Sequence, residues 1–440
     1  MKGILIFLVV FGILVFVHEF GHFIVAKKCG ILVREFSIGM GPKLFQKMRA
    51  KTTYTIRWLP LGGYVRLAGP DDAAKIDPGT TVVLQLDDQN KVKRIDASGS
   101  QMPIEGIPVQ VNAADLVDAL TIQGYENGDE DQLKTYSVDH DATIIEQNGT
   151  ELLIAPRDTQ FQEASVGKKL ATNFAGPFMN IVLGFVVFII WSLAAPGAPT
   201  TTVGSTIAHQ PAQVAGIKAN DEIIAINNKK ISNFNQIAAE LAESKGKTVE
   251  VKVKRDNRVK NFSIKPKANK IDGQKVYQLG FYGKPDNSLG AKISRGWNTS
   301  ISTTGLIFNA VGNLFRHFSL NKLSGPVGIY SQTVQVSNMG FTYLLAFLAM
   351  ISINLGIVNL IPIPGLDGGK LLLNLIQLII RKPIPEDKEA IVDVIGFVIL
   401  LLLIVAVTGN DEVVTVQPAG GIIIPEGGAL LIGDGQNLHG

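Results

Sequence analysis

The side chains best suited to chemistry stand close together near the start of the chain, in the run VHEFGHF at residues 17–23. His18 and His22 are four residues apart. On a helix they share one face and can offer two imidazole nitrogens to a single zinc ion. Glu19 lies beside them and is a candidate general base towards a water activated by the metal, since coordination lowers a water's pKa to about 7. Five residues can match this pattern by chance, so the motif alone leaves the question open. The setting narrows it. The surrounding residues 4–25 are apolar, and a charged side chain at mid-membrane costs on the order of 2.5–3.5 kcal/mol. The competing reading is a buried polar cluster that joins helices. A catalytic zinc needs a third protein ligand and an open position. Asp367, in NLGIVNLIPIPGLDGGK at the end of a later apolar run, is the candidate. Its alternative reading is an ordinary turn residue ahead of Gly368 and Gly369. Pro362 and Pro364 predict a helix break there, leaving irregular backbone that can line a wet cavity. The single cysteine, Cys29, excludes an intrachain disulfide and a multi-thiolate zinc site.

These residues need a membrane-type scaffold to hold them. The chain has 440 residues, 46% hydrophobic and only 18% charged. Four stretches reach the roughly twenty apolar residues that cross a bilayer: 4–25, 174–195, 341–363 and 390–408. The first is not read as a signal peptide, because it runs to full spanning length with no small-residue cleavage site after it. Basic residues set the orientation. Lys27, Lys28, Arg34, Lys43, Lys47, Arg49 and Lys51 follow the first span, and Arg157, Lys168 and Lys169 precede the second. Arg381 and Lys382 lie between the last two, while residues 191–208 carry no charge. Residues 27–172 are therefore expected in the cytoplasm, with both termini and residues 196–340 outside. The first and third spans then run in the same direction. At 1.5 Å per residue the two histidines lie about 20–27 Å along the first, near the cytoplasmic side, where Asp367 also falls.

Between the spans the pattern changes. Residues 53–67, TYTIRWLPLGGYVRL, read as an apolar β-hairpin about a Leu-Gly-Gly turn. Residues 70–157 turn acidic and contain short β-like runs such as TVVLQL, which suggests a small β-rich insertion with a solvated acidic surface. Beyond the second span, AGIKANDEIIAIN at 215–227, a helix-like stretch at 234–244 and two alternating strands about Asp256-Asn257 resemble a PDZ domain over residues 200–270. Such domains bind extended peptides at a sheet edge; a small α/β domain without a peptide ligand is the alternative. In the connector 271–340, residues 297–320 are amphipathic, which fits either a helix on the outer membrane surface or one packed in the outer domain.

HEFGH in the first span together with N-x-x-P-x-P-x-L-D-G-G at 359–369 resembles the site-2 protease family of intramembrane zinc metalloproteases. SIGMGPK at 37–43, LPLGGYVRLAG at 59–69, NFAGPFMN at 173–180 and LSGPVGIY at 323–330 add to the likeness, which covers residues 1–411 and is greatest to the bacterial RseP/RasP-like, Gram-positive single-PDZ type. The resemblance implies one zinc ion per chain held by His18, His22 and Asp367, with Glu19 as base. It implies that Asn354 and Asn359 bind substrate backbone, although each also suits helix-to-helix bonding. It implies that the hairpin at Leu61, Gly62, Gly63 and Tyr64 pairs with an unwound substrate.

The fold class expected is a polytopic α-helical membrane protein. It has four transmembrane helices, a membrane-associated β-hairpin (27–69), a cytoplasmic β-rich insertion and an extracytoplasmic PDZ-like α/β domain. The zinc motif lies in the first span (1–26); the others are 174–195, 341–380 with its N-x-x-P-x-P-x-L-D-G motif, and 389–408. The function expected is regulated intramembrane proteolysis in a bacterial cell membrane. Its partners are the lipid bilayer and membrane-spanning substrates such as anti-sigma factors or signal-peptide remnants, and no nucleic acid. A membrane scaffold presenting the PDZ-like domain and a metal transporter are the rival classes. The Gly-rich tail, 412–440, departs from the family pattern.

Overall fold

The computed structural model describes residues 2–70, 75–99, 104–127, 129, 131–146, 149–271, 274–316, 325–382, 384 and 386–413. The chain falls into two compact units: Leu8–Asn180 with Asn359–Val398, and Met1–Phe7 with Ile181–Val358 and Ile399–Gly440.

Helix α1 (Lys2–Lys28) is mostly apolar, interrupted by His18, Glu19 and His22. Lys27 and Lys28 favour its C-terminal dipole, and Gly30, in the left-handed region at φ 79°, ends it. Strands β1 (Val33–Arg49) and β2 (Thr52–Leu67) follow. They correct the expected hairpin. The two halves of 53–67 do not pair with each other; β1 runs between them. Ser37 is paired with both Tyr64 and Thr55, and Ile38 with both Gly63 and Ile56. The far half of β1 pairs only once, Phe45 with Ile56 through Arg49 with Thr52. The cause lies in the connection: Pro60 cannot donate to a ladder, and residues 58–62 are too long for a tight two-residue turn. The arms therefore stand two strand spacings apart, about 10 Å, room for one strand between them.

The acidic insertion is a closed sheet. It comprises β3 (Thr81–Leu86), β4 (Val92–Asp96), β5 (Ile107–Asp115), β6 (Thr121–Glu126), β7 (Leu133–Ile145) and β8 (Glu151–Leu153), in the order β4-β3-β5-β6-β7-β8. A further parallel pairing of β4 with β7 gives β3 to β7 neighbours on both sides, a small barrel. Alternating Val82, Leu84, Val109, Val111 and Ile122 fill its interior, while Asp88, Asp129, Asp131 and Asp141 are exposed. Helix α2 (Val166–Ala194) then carries the second apolar run.

The next domain is built from β9 (Ala198–Thr206), α3 (Pro211–Val214), β10 (Glu222–Ile226), β11 (Lys229–Lys230), α4 (Phe234–Glu243), β12 (Val249–Arg255), β13 (Arg258–Ile264), the ribbon β14 (Lys267–Ile271) with β15 (Gln274–Gln278), and β16 (Phe281–Asp286). Its main sheet runs β13-β12-β10-β9-β16, with β11 on β10. Asp256 and Asn257 both have positive φ, the type I′ signature of the expected tight turn. Asn233 caps α4 by accepting from the Gln236 amide at 3.0 Å. The domain extends past the expected boundary at 270, because β16 pairs with β9 and covers what would otherwise be an open edge.

Helices α5 (Leu289–Arg316), α6 (Pro326–Met339), α7 (Phe341–Asn359), α8 (Asp367–Ile380) and α9 (Glu386–Val413) complete the chain. Helix α7 stops at Asn359, short of the expected 363, because the residue before a proline is pushed out of the α region and Pro362 and Pro364 follow. Among the described residues three helices, α1, α2 and α7, are long and apolar enough to cross a membrane, and α9 contains a shorter apolar stretch, Val394–Val407. Helix α9 continues through Gly409-Asn410 to Val413. The rest of the expected tail, 414–440, lies outside the described residues, as do 323–324 of the LSGPVGIY block.

Asp221 ties the β9–β16 domain together. Its buried carboxylate accepts from Arg255 Nε and Nη2 at 2.6 and 2.7 Å and from the Lys218 amide at 2.8 Å. Burial raises its pKa, but the Arg255 and Lys218 bonds outweigh burial and hold it below the usual carboxylate range. A lowered carboxylate stabilises the fold above the unfolded pKa of about 3.9 and loses that contribution as pH falls through the folded value. Asp221→Ala leaves Arg255 without this partner, and is expected to cost the domain about 3–5 kcal/mol. Hydrogen exchange of β10 and β12 amides in the full chain reads this as lost protection. The wild-type opening free energy should hold steady from pH 7 to about 4 and fall only below that.

Candidate metal centre

Helix α1 presents His18 and His22 one turn apart, and the first residue of α8 presents Asp367 to the same point. His18 Nε2 lies 3.1 Å and His22 Nε2 3.4 Å from Asp367 Oδ2, and the two nitrogens are 3.3 Å apart. All three side chains are largely buried, 12–15% exposed. The triangle has a chemical meaning. Zinc in a tetrahedral site bonds nitrogen and oxygen at 2.0–2.2 Å, which separates its ligands by about 3.3 Å. Two imidazole nitrogens and one carboxylate oxygen already stand at that spacing, with the fourth corner left to a reactant. The donor set fits zinc.

Helix α2 orients both rings. His22 Nδ1 bonds the Thr172 carbonyl oxygen at 2.7 Å. A carbonyl only accepts, so Nδ1 carries the proton and Nε2 keeps its lone pair for a metal. Asn180, fully buried, places its side-chain amide 3.1 Å from His18 Nδ1. The atom placed there is Nδ2; a half-turn of the amide would bring Oδ1 to the ring instead and fix the same tautomer for His18 as for His22. The backbone of α2 comes very close: a Cβ added at Gly176 would overlap the His22 imidazole, so only glycine fits there.

Asp367 reaches the cluster because the chain breaks after Asn359. Residues 360–366 turn with Gly365 at φ 88°, and a Cβ at Gly368 would strike the backbone of Leu360 and Ile361. The glycines that made Asp367 readable as a turn residue are what fold α8 tightly onto this turn.

Glu19 follows His18 on α1, and Gly63 of β2 packs against it. A Cβ there would lie 3.2 Å from Glu19 Cγ and 2.8 Å from the Ser37 carbonyl oxygen. Tyr64 is anchored: its hydroxyl donates to Glu35 Oε2 at 2.8 Å and accepts from Arg57 Nη2 at 2.6 Å, and Arg57 Nε donates to Ser37 Oγ at 3.0 Å. Burial raises the Glu35 pKa, but side-chain hydrogen bonds, Tyr64 and Arg57 among the donors, hold it below the usual carboxylate range. Gly62 lies in the same strand, and the Leu61 backbone belongs to it too. Asn359 closes α7, and Asn354, exposed on α7, belongs to the other compact unit. Thr172, Gly176 and Asn180 went unassigned in the sequence. NFAGPFMN at 173–180 stood out as a block, but backbone acceptors and steric gaps leave no pattern of their own.

Two imidazoles and a carboxylate within reach of one cation, beside a glutamate on an apolar helix, match the donor set of a membrane metallopeptidase. The profile of Peptidase family M50 matches residues 6–403. The chain is 44% identical over 416 residues to the Enterococcus faecalis protein named Probable protease eep, covering 93% of this chain and 99% of that one. It is 45% identical over 420 residues to a Streptococcus pyogenes serotype M1 protein named zinc metalloprotease, again covering 93% and 99%. A third relative with a zinc metalloprotease name, from Lactococcus lactis, is 43% identical over 426 residues, covering 93% and 98%. The chain belongs to peptidase family M50, the site-2 protease family. It is a zinc-dependent membrane peptidase.

Outer partners of metal-bound histidines typically contribute 10–100-fold to affinity. Asn180→Leu is therefore expected to weaken zinc binding by about that factor, while Asn180→Asp, which can only accept from His18 Nδ1, holds it near wild type. Chelator competition on the purified protein measures both.

Proposed function

We propose that this chain is an intramembrane protease that hydrolyses peptide bonds within or near transmembrane segments of single-span proteins or signal-peptide remnants. The observation that carries the reading is the 3.1–3.4 Å triangle of His18, His22 and Asp367 in an apolar helical setting with Glu19 adjoining. In this reading those three residues hold one zinc ion. Bound zinc supplies Lewis acidity, which polarises the scissile carbonyl and makes a water acidic enough to react near neutral pH. Glu19 takes the proton from the attacking water as the new carbon–oxygen bond forms, then delivers it to the amine that leaves as the carbon–nitrogen bond breaks.

Peptide bonds in an intact helix are shielded, so the substrate must be held unwound. The β2 arm at residues 61–64 supports this, because it approaches Glu19 and is bordered by β1 on one side. A strand added to its other side would satisfy the substrate backbone. Asn354 and Asn359 would hold further substrate amides that lipid cannot satisfy. Four spans, with α9 as the last, both termini outside and residues 27–172 in the cytoplasm, agree with the basic flanks. The β9–β16 domain is read as PDZ-like, a filter or docking module on the outer side. Its strand β10 and capped helix α4 support that reading. Anti-sigma factors and signal-peptide remnants enter as substrates by resemblance to the family.

Glu19→Gln keeps the shape of the site and removes the base. Zinc content should stay at one ion per chain, and cleavage of a membrane-inserted substrate should fall by about 10²–10⁴-fold. Full cleavage with zinc bound would remove Glu19 from this role.

A further inference from the structure

Helix α5 is turned inside out for a helix in water. The face it buries is small and polar: Gly296, Thr299, Ser300 and Thr303, with Ile307. Beside an exposed polar stripe of Asn298, Ser302, Asn309 and Asn313, it exposes a large apolar one: Ile293, Trp297 at 52%, Ile301, Phe308 and Phe315 at 66%. Their spacing of four and seven residues forms one stripe along the helix. Small residues at a helix contact and apolar ones pointing away are the arrangement of membrane helices. On and beside that buried face, Ser300 Oγ donates to the Gly296 carbonyl at 2.9 Å and Thr304 Oγ1 to the Ser300 carbonyl at 2.8 Å, while the buried Thr303 Oγ1 has no hydrogen-bond partner among the described residues.

The neighbour of α5 is the second half of α2. A Cβ at Gly296 would lie 2.6 Å from Ile189 Cα, and the Trp297 ring meets Phe185 edge-on at 5.2 Å between centroids. Lys292 Nζ donates to the Leu193 and Ala195 carbonyls at 3.1 and 3.2 Å, and Arg295 donates to the Pro196 carbonyl at 3.0 Å while lying over the Trp191 ring. Contacts that step back along α2 as α5 advances mean the helices run antiparallel. The cations stay at the polar end of α2, as snorkelling side chains do. Phe185 lies about 13 Å below that end at 1.5 Å per residue, close to mid-depth in a hydrocarbon layer of about 30 Å. The exposed stripe of α5 is also continuous in kind with Val186, Ile190 and Leu193, the exposed face of α2 in a helix that is itself apolar and long enough to span. Tyr330 packs on Phe7, and Val334 fills the space beside Gly3, so α6 runs along the first turns of α1 in the opposite direction.

We infer that α5 is a membrane-inserted helix, entering the hydrocarbon from the end of α2 that leads into β9, with Trp297, Ile301, Phe308 and Phe315 against lipid acyl chains. It neither lies on the membrane surface nor packs within the β9–β16 domain. It escapes a hydropathy reading because the apolar stripe is one part of its circumference, beside the small residues turned to α2 and the exposed polar stripe of Asn298, Ser302, Asn309 and Asn313. The inference rests on α2 spanning the bilayer and is independent of the catalytic assignment.

Single cysteines at positions 297, 301 and 308 in a Cys29→Ser chain, each carrying a nitroxide, test it in phosphatidylcholine–phosphatidylglycerol vesicles. Labels at Val186 and at Asn257, in the β12–β13 turn, are the references. At all three α5 positions the ratio of oxygen to nickel-chelate collision should match the Val186 label and stand several-fold above the Asn257 label. A ratio at the Asn257 level overturns the inference. So does a label shielded from both reagents whose spin–spin broadening vanishes on dilution with unlabelled protein, which would mean that a second copy covers the face. If the Val186 label itself collides with nickel as Asn257 does, the inference fails together with the span it rests on. Three independent positions keep the test decisive if one variant folds poorly.

Discussion

Two imidazoles and a carboxylate converging on one point in an apolar helical setting form the constraint from which the rest of the site follows. Such groups are costly in lipid unless something answers each of them. At 3.1–3.4 Å their three inner atoms can share one cation. Their outer atoms need partners too, and α2 supplies the Thr172 carbonyl and the Asn180 side chain. That demand explains why α2 carries a glycine where it passes His22, since any larger residue would push the ring away. It also explains why the third apolar helix ends early. A continuous helix through 360–366 could not present Asp367 from the first turn of a new one.

A second consequence concerns the backbone. In the proposed reading the substrate's peptide bonds, shielded in an intact helix, are presented unwound, and in lipid each freed amide then needs a partner on the protein. The β1–β2 element could supply such a partner. With β1 inserted between its arms, the arm holding Gly63 and Tyr64 stands at a border of the sheet and beside Glu19. The Tyr64–Glu35–Arg57 network makes that border rigid.

Much of this was legible in the sequence, for identifiable reasons. The helical spacing of His18 and His22, the proline break before Asp367 and the alternation in β12 are local patterns, and local patterns survive folding. The closed barrel at 75–153, the interleaving of β1 with both halves of β2, and the partners on α2 depend on which distant segments meet, and one sequence read alone carries no signal for that. Helix α5 shows a different limit. Its composition is neither apolar enough to read as a span nor polar enough to read as a surface helix, and only the side it turns to α2 reveals what its other side faces.

Zinc K-edge absorption spectroscopy on the zinc-loaded chain in lipid tests the central claim most directly. The account predicts one zinc ion per chain, with nitrogen and oxygen ligands only, at about 2.0–2.2 Å, and outer scattering from two imidazoles. A sulfur ligand, a third imidazole, or a spectrum unchanged when His18, His22 and Asp367 are all replaced would contradict it.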